Sequence, residues 1–128
     1  MIRIEVDPFP SNAVMEPLWL ATWGASAGDY AGRVLPKSLV HLGAFEDDRL
    51  IGFVNVAWDG GIHAFLLDTS VHPNFRRQGI ATTLVKRAAG LARERGTEWL
   101  HVDFEPHLEP FYSGCGFRPT RAGLIQLK

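Results

Sequence analysis

The chain is short of cysteine, of net charge and of long apolar runs, and each shortage removes a class of function. Its single cysteine, Cys115, excludes an internal disulfide and points to a reducing compartment. Basic and acidic side chains nearly balance at 13 against 14, for a net charge of −1. Nothing in that balance directs the chain to nucleic acid or to an anionic membrane. No apolar run is long enough to span a bilayer. Arg3, Glu5 and Asp7 interrupt the early residues, so no signal peptide is expected, and the expected location is cytoplasmic. Two phosphate-binding patterns are also missing. No Gly-x-x-x-x-Gly precedes a Lys followed by Ser or Thr, and the nearest run to Gly-x-Gly-x-x-Gly, Gly114 to Pro119, ends in proline.

What remains is ordinary globular composition, 46% hydrophobic and 21% charged, in 128 residues. That length predicts one domain, residues 1–128, with a real core. The organising stretch is Leu66 to Ala92, introduced by an apolar, strand-like run from Phe65 to Val71. Pro73 ends that run because it has no N–H for the next ladder bond. A basic turn, Arg76-Arg77-Gln78-Gly79, follows, and then Ile80, Leu84, Val85, Ala88, Leu91 and Ala92 recur at helical spacing. The first N–H groups of such a helix lack partners within it and point into the turn. Gly79 allows backbone to approach a ligand closely, and small Ala81 leaves the first helical turn uncovered. The expected occupant is a pyrophosphate.

Arg76-x-x-Gly79-x-Ala81, directly after Val71-His72-Pro73, resembles the acetyl-CoA motif of the GNAT superfamily of N-acetyltransferases, Arg/Gln-x-x-Gly-x-Gly/Ala. Phe111-Tyr112-x-x-x-Gly116-Phe117 matches at the family's distance downstream, so the resemblance covers Leu50 to Phe117. It implies a mixed α/β fold, with a mostly antiparallel sheet, a parallel splayed strand pair and flanking helices. It implies acetyl-CoA as donor, an amine as acceptor, and acyltransferase activity by direct attack of the amine on the thioester. Pantetheine would lie along Thr69, Ser70 and Val71 as an added strand does. Arg76, Arg77, Gln78, Gly79, Ile80, Ala81 and Thr82 would surround the pyrophosphate, with Arg76 serving either the loop's shape or the phosphate.

Acetyl transfer requires a neutral amine, although a free alkyl amine has a pKa of about 10.4. A base must take that proton, directly or through water, and an acid must quench the departing thiolate. Tyr112 stands where the family's motif puts its general acid. For the base, Leu100-His101-Val102-Asp103-Phe104-Glu105 alternates, and strand geometry puts His101, Asp103 and Glu105 on one face. Glu105 is favoured, as nearest the end where the two strands part, with His101 and Asp103 behind it. Many members carry an asparagine just beyond this strand, where Pro106-His107 stands here. Two alternatives stand beside this reading, only the first of them on these residues. One is a metal site on His101, Asp103, Glu105 and His107; the other is a catalytically silent acyl-CoA sensor. Cys115 reads as apolar filler, since no covalent intermediate is needed.

The rest of the chain supplies the frame. Ile2, Ile4 and Val6 alternate with charges as a half-buried strand, and a helix with Pro17 in its first turn carries Leu18, Trp19, Leu20 and Trp23. In the family this region overlies the acceptor, so Trp19, Trp23 and Tyr30 are candidate pocket walls, with core packing expected for at least two of them. Gly24 to Gly32 reads as loop or short irregular helix. Val40–Phe45 and Leu50–Trp58 read as strands around a turn at Glu46–Arg49, with Gly52 at a bulge or a close approach. Trp99–Phe104 is expected parallel to the central strand. Phe117–Pro119 and Leu124–Leu127 read as a final hairpin; the family resemblance implies that such a hairpin covers the acceptor side or forms a homodimer contact.

Overall fold

The computed structural model describes every residue from Met1 to Lys128. One sheet of five strands runs in sequence order: β1 (Ile2–Val6), β2 (Ser38–Glu46), β3 (Arg49–Trp58), β4 (His63–Val71) and β5 (Trp99–His101). The first four pair antiparallel, and β4 pairs parallel with β5. The helix α3 (Ile80–Glu94) crosses between the parallel strands, as that connection requires. Its buried stripe, Ile80, Leu84, Val85, Ala88 and Ala92, packs on Val40, Leu42, Val54, Val56, Ala64 and Leu66 from one face of the sheet. The opposite face carries α1 (Asn12–Trp23) and α2 (Tyr30–Arg33), around Met15, Leu18, Trp19, Tyr30 and Phe53.

Both readings of Gly52 hold. The β2–β3 register slips between Ala44 and Phe45, leaving Ile51 as the extra residue. A Cβ on Gly52 would lie 3.2 Å from Leu84 Cδ1 and 3.3 Å from Ile80 Cγ2. The glycine therefore lets the first two turns of α3 settle on the sheet, which fixes where that helix begins.

Three expectations need correction. Pro17 lies inside α1 rather than in its first turn, because Ser11 caps the helix earlier, its Oγ accepting from the Val14 N–H at 3.2 Å. The strand expected over Trp99–Phe104 stops at His101, since its last pair with β4 is Phe65 with His101. The chain then goes on without a ladder partner to a single turn of 3-10 helix at Pro106–Leu108 and to α4 (Glu109–Gly114). The terminal hairpin does not form: residues 117–128 hold no strand, and Leu124, Ile125 and Leu127 are 81%, 85% and 90% exposed. An isolated two-stranded ribbon gains too little burial to stand in water, and Pro119 removes one of its donors.

Candidate functional site

The turn between β4 and α3 is built almost entirely from backbone. A 3-10 turn at Pro73–Phe75 leads into Arg77 and Gly79, both left-handed, with φ of 64° and 77°. Gly79 is the N-cap residue of α3 and no side chain caps the helix. The first bond of α3 is Thr83 N–H to the Gly79 carbonyl, 3.1 Å, so the N–H groups of Ile80, Ala81 and Thr82 have no partner within the helix. A Cβ on Gly79 would meet nothing within 4 Å, so the space over these amides is open. A cavity of about 240 Å³ lies there, walled by Arg76, Arg77, Gly79, Ile80, Ala81 and Thr82 together with Val71, Phe75 and Phe111. Gln78, alone of the expected run, is not part of that wall.

A second cavity of about 300 Å³ continues along the strand, sharing Val71, Arg76, Ala81 and Phe111 with the first. Its other walls include Thr69, Ser70, Tyr112 and Trp23. The cause of this cleft is the early end of the parallel pair. Past Phe65 the strands diverge, and from Leu66 to Val71 the side of β4 turned to β5 has no strand partner. Arg76 braces the corner where strand meets turn, its Nε donating to the Val71 carbonyl at 3.3 Å. That contact is the loop-shaping role left open for this side chain.

Tyr112 is buried on α4, stacked on Phe104 with centroids 4.8 Å apart, and its residue borders the second cavity. Burial pushes its hydroxyl above the ordinary phenol range, Thr69 beside it pulls the other way, and the charge of Asp103 adds to the rise. The group therefore keeps its proton at neutral pH. Burial also pushes the Cys115 thiol up, which disfavours the thiolate a nucleophile would need.

The base candidates are less concentrated. Leu100, Val102 and Phe104 pack on the core while His101, Asp103 and Glu105 are exposed, so the alternation survives past the end of the ladder. None of the three lines either cavity. The strands part at His101, which corrects the placing of that point near Glu105. His101 is occupied, its Nε2 2.8 Å from His63 Nδ1 and its ring stacked on Phe65 at 4.9 Å. No three His, Cys, Asp or Glu side chains gather as a metal site would need, so the four-residue metal alternative loses its geometry. Of the three aromatic residues expected as walls of an acceptor pocket, Trp19 and Tyr30 are buried at 8% and 4% exposure; Trp23, at 53%, faces the cleft.

Sequence reading missed the residues on the other side of β4. Asp68 has a φ of 59°, and its Oδ2 accepts from the buried Tyr30 hydroxyl at 2.7 Å. Phe75 and Phe111, as apolar walls of the first cavity, were also not singled out. A polar residue at an unmarked bulge leaves no pattern in the sequence.

Residues 1–117 match the family model described as the acetyltransferase (GNAT) family. Mycothiol acetyltransferase of Mycolicibacterium vanbaalenii is 32% identical over 83 residues, covering 64% of this chain and 28% of that protein. The chain thus spans about a quarter of the length of such curated relatives. A GNAT-family acetyltransferase from Streptococcus pneumoniae superposes with a TM-score of 0.83 at 25% identity, covering 100% of this chain and 98% of the other. The aminoglycoside N-acetyltransferase AAC(6')-Iy, solved in complex with CoA, shares the fold with a TM-score of 0.77 at 19% identity over 100% of this chain and 95% of that one. With the model matched over most of its length, and with the turn, open strand and flanking helices in place, the chain belongs to the GNAT acetyltransferase family.

Proposed function

We propose that the protein transfers an acetyl group from acetyl-CoA to the primary amine of a small molecule. The observation that carries this reading is the row of free amides at Ile80, Ala81 and Thr82, opening on a cavity that runs on beside the unpaired edge of β4. A diphosphate suits those amides and the adjoining positive end of α3. Thr69, Ser70 and Val71 offer backbone to an extended amide-bearing arm, as a strand would. Arg76, Arg77, Gly79, Ile80, Ala81 and Thr82 form the diphosphate site in this account, with Gln78 in the same turn but outside the wall. Acetyl-CoA supplies the thioester on which the amine acts.

Tyr112 donates its proton to the sulfur as the carbon–sulfur bond breaks, and its raised pKa keeps that proton available. The amine's surplus proton leaves to a carboxylate through water. The proposed base is a residue of the exposed face beyond the strands' parting, Glu105, Asp103, whose charge reaches Tyr112, or His101, where the pairing ends. The neutral overall charge and the exposed indole of Trp23 at the cleft favour a small amine over a basic protein tail. The test is a panel of small amines incubated with acetyl-CoA and followed by thiol release. Release with at least one amine supports transfer. Stabilisation by acetyl-CoA with no release from any amine would instead favour a silent acyl-CoA sensor.

A further inference from the structure

We infer that His63 and His101 form a site for a nitrogen-seeking divalent metal ion, copper or nickel ahead of zinc, which ties β5 to β4 at the end of their ladder. It takes one residue from the run His101–His107 and the other from the neighbouring strand. Nothing in this site depends on acyl transfer.

The parallel register brings the two rings together. His63 stands opposite Trp99 and Phe65 opposite His101, so four rings share the face of the sheet turned away from α3. His63 Nδ1 and His101 Nε2 meet across the diagonal at 2.8 Å, with ring centroids 5.0 Å apart. Phe65 stacks on the His101 ring at 4.9 Å and 21°, which limits its swing. His101 is exposed and His63 half-buried, and neither pairs with a carboxylate. Asp59 stands just before β4, its Oδ1 accepting from the His63 N–H at 3.3 Å. Its charge lies near enough to His63 for the two to interact, which favours a cation there.

Two uncharged imidazoles so placed share one hydrogen, donated by one ring nitrogen to the other. A metal ion takes that position once the hydrogen passes through water to the outer nitrogen of its own ring. Both rings are then neutral, and both inner nitrogens offer a lone pair. The spacing also selects the ion. Two nitrogens each about 2.0 Å from one centre lie about 2.8 Å apart at a right angle and about 3.3 Å apart in a tetrahedron. The observed 2.8 Å matches the right angle, which suits copper(II) and nickel(II) better than zinc. The rings approach nearly head to head, so each must turn on its own side-chain bonds to aim at the ion. Solvent on the open side leaves room for that turn and supplies the remaining ligands. Only three residue pairs join β4 to β5, and His101 closes the last of them. A metal there pins the point from which the cleft opens.

The test is calorimetric titration of tag-free protein with copper(II), nickel(II), zinc(II) and magnesium salts near neutral pH, with thermal midpoints recorded. Affinity should fall in the order copper, nickel, zinc, and magnesium, which seeks oxygen ligands, should not bind. Saturating nickel should raise the midpoint about 5 °C. His63→Gln and His101→Gln should each weaken nickel binding about tenfold or more, because one imidazole is left of a chelating pair. Metal-free midpoints establish that both variants are folded before titration. His107→Gln should leave nickel affinity within about twofold. A wild type that binds no nickel at millimolar concentration, or full affinity kept in either His63→Gln or His101→Gln, overturns the inference. Loss of binding in His107→Gln overturns it as well, by moving the site to the turn after Pro106. Zinc bound more tightly than nickel overturns the right-angled geometry.

Discussion

Arg76 Nε donates to the carbonyl of Val71 at 3.3 Å, tying the last residue of β4 to the turn that follows it. The guanidinium thereby spans the corner between the two cavities, both of which Arg76 lines. Arg76→Ala should lower acetyl-CoA affinity about tenfold, a charged hydrogen bond discounted for an exposed side chain. The loss should persist between low salt and about 0.5 M, because a bracing contact is screened much less than a phosphate contact across water. Titration at the two salt levels checks this; a deficit that vanishes at high salt would make Arg76 a simple phosphate charge.

Tyr112 offers a cleaner separation of binding from chemistry. Its ring is held by Phe104, Phe111 and Phe117, so Tyr112→Phe keeps the packing and removes one hydroxyl. Turnover should fall about 100-fold, within the range of lost general acid catalysis, with acetyl-CoA affinity nearly unchanged. Steady-state kinetics beside equilibrium titration would measure both.

Gly52 tests the seating of α3. Its backbone is not in the left-handed region, so a substitution there reports packing without conformational strain. Gly52→Val drives methyl groups toward Leu84, Ile80 and Ala44 and should cost about 1–3 kcal/mol, seen as a lower thermal midpoint. An unchanged midpoint would mean the helix shifts freely on the sheet.

His41 makes stability depend on pH. Its ring is buried, and Nε2 accepts from the Phe9 N–H at 3.0 Å. Burial lowers its pKa below the ordinary value; Asp7, 3.4 Å from Nδ1, pulls upward without reversing that. The unfolded chain then binds this proton more readily than the folded one. The stability His41 contributes is full above about pH 6.5 and is lost as pH falls below it. Urea denaturation at about pH 7.5 and about pH 5.5 should show the loss, and His41→Gln should reduce it.

The turn between β4 and α3 was legible in the sequence because its signals are local. Arg76, Gly79 and Ala81 stand at fixed offsets, and Ile80 to Ala92 repeat at a single period. The far end of the cleft was not, because its causes are long-range. Where β5 leaves β4 depends on a pairing that ends at His101, which nothing in the alternation from Leu100 to Glu105 marks. Asp68 reads as one more residue of an apolar strand until the skipped register turns it toward Tyr30. Pro17 was placed too early because Ser11, not the proline, starts its helix. The terminal residues carry a hairpin's pattern but have no strand to lean on.

The claim that the turn from His72 to Thr82 grips a diphosphate is tested most directly by calorimetric titration with acetyl-CoA, with S-acetylpantetheine, which lacks the diphosphate and the 3'-phosphoadenosine, and with 3'-phosphoadenosine alone, which reports the nucleotide's own share. The account predicts that losing the diphosphate weakens binding about 100-fold or more, several charge-assisted bonds being removed together. Gly79→Glu, which puts an anion into the open space over the amides, should reduce acetyl-CoA to the level of the fragment. Equal affinity for the two thioesters, or full acetyl-CoA affinity in Gly79→Glu, would contradict it.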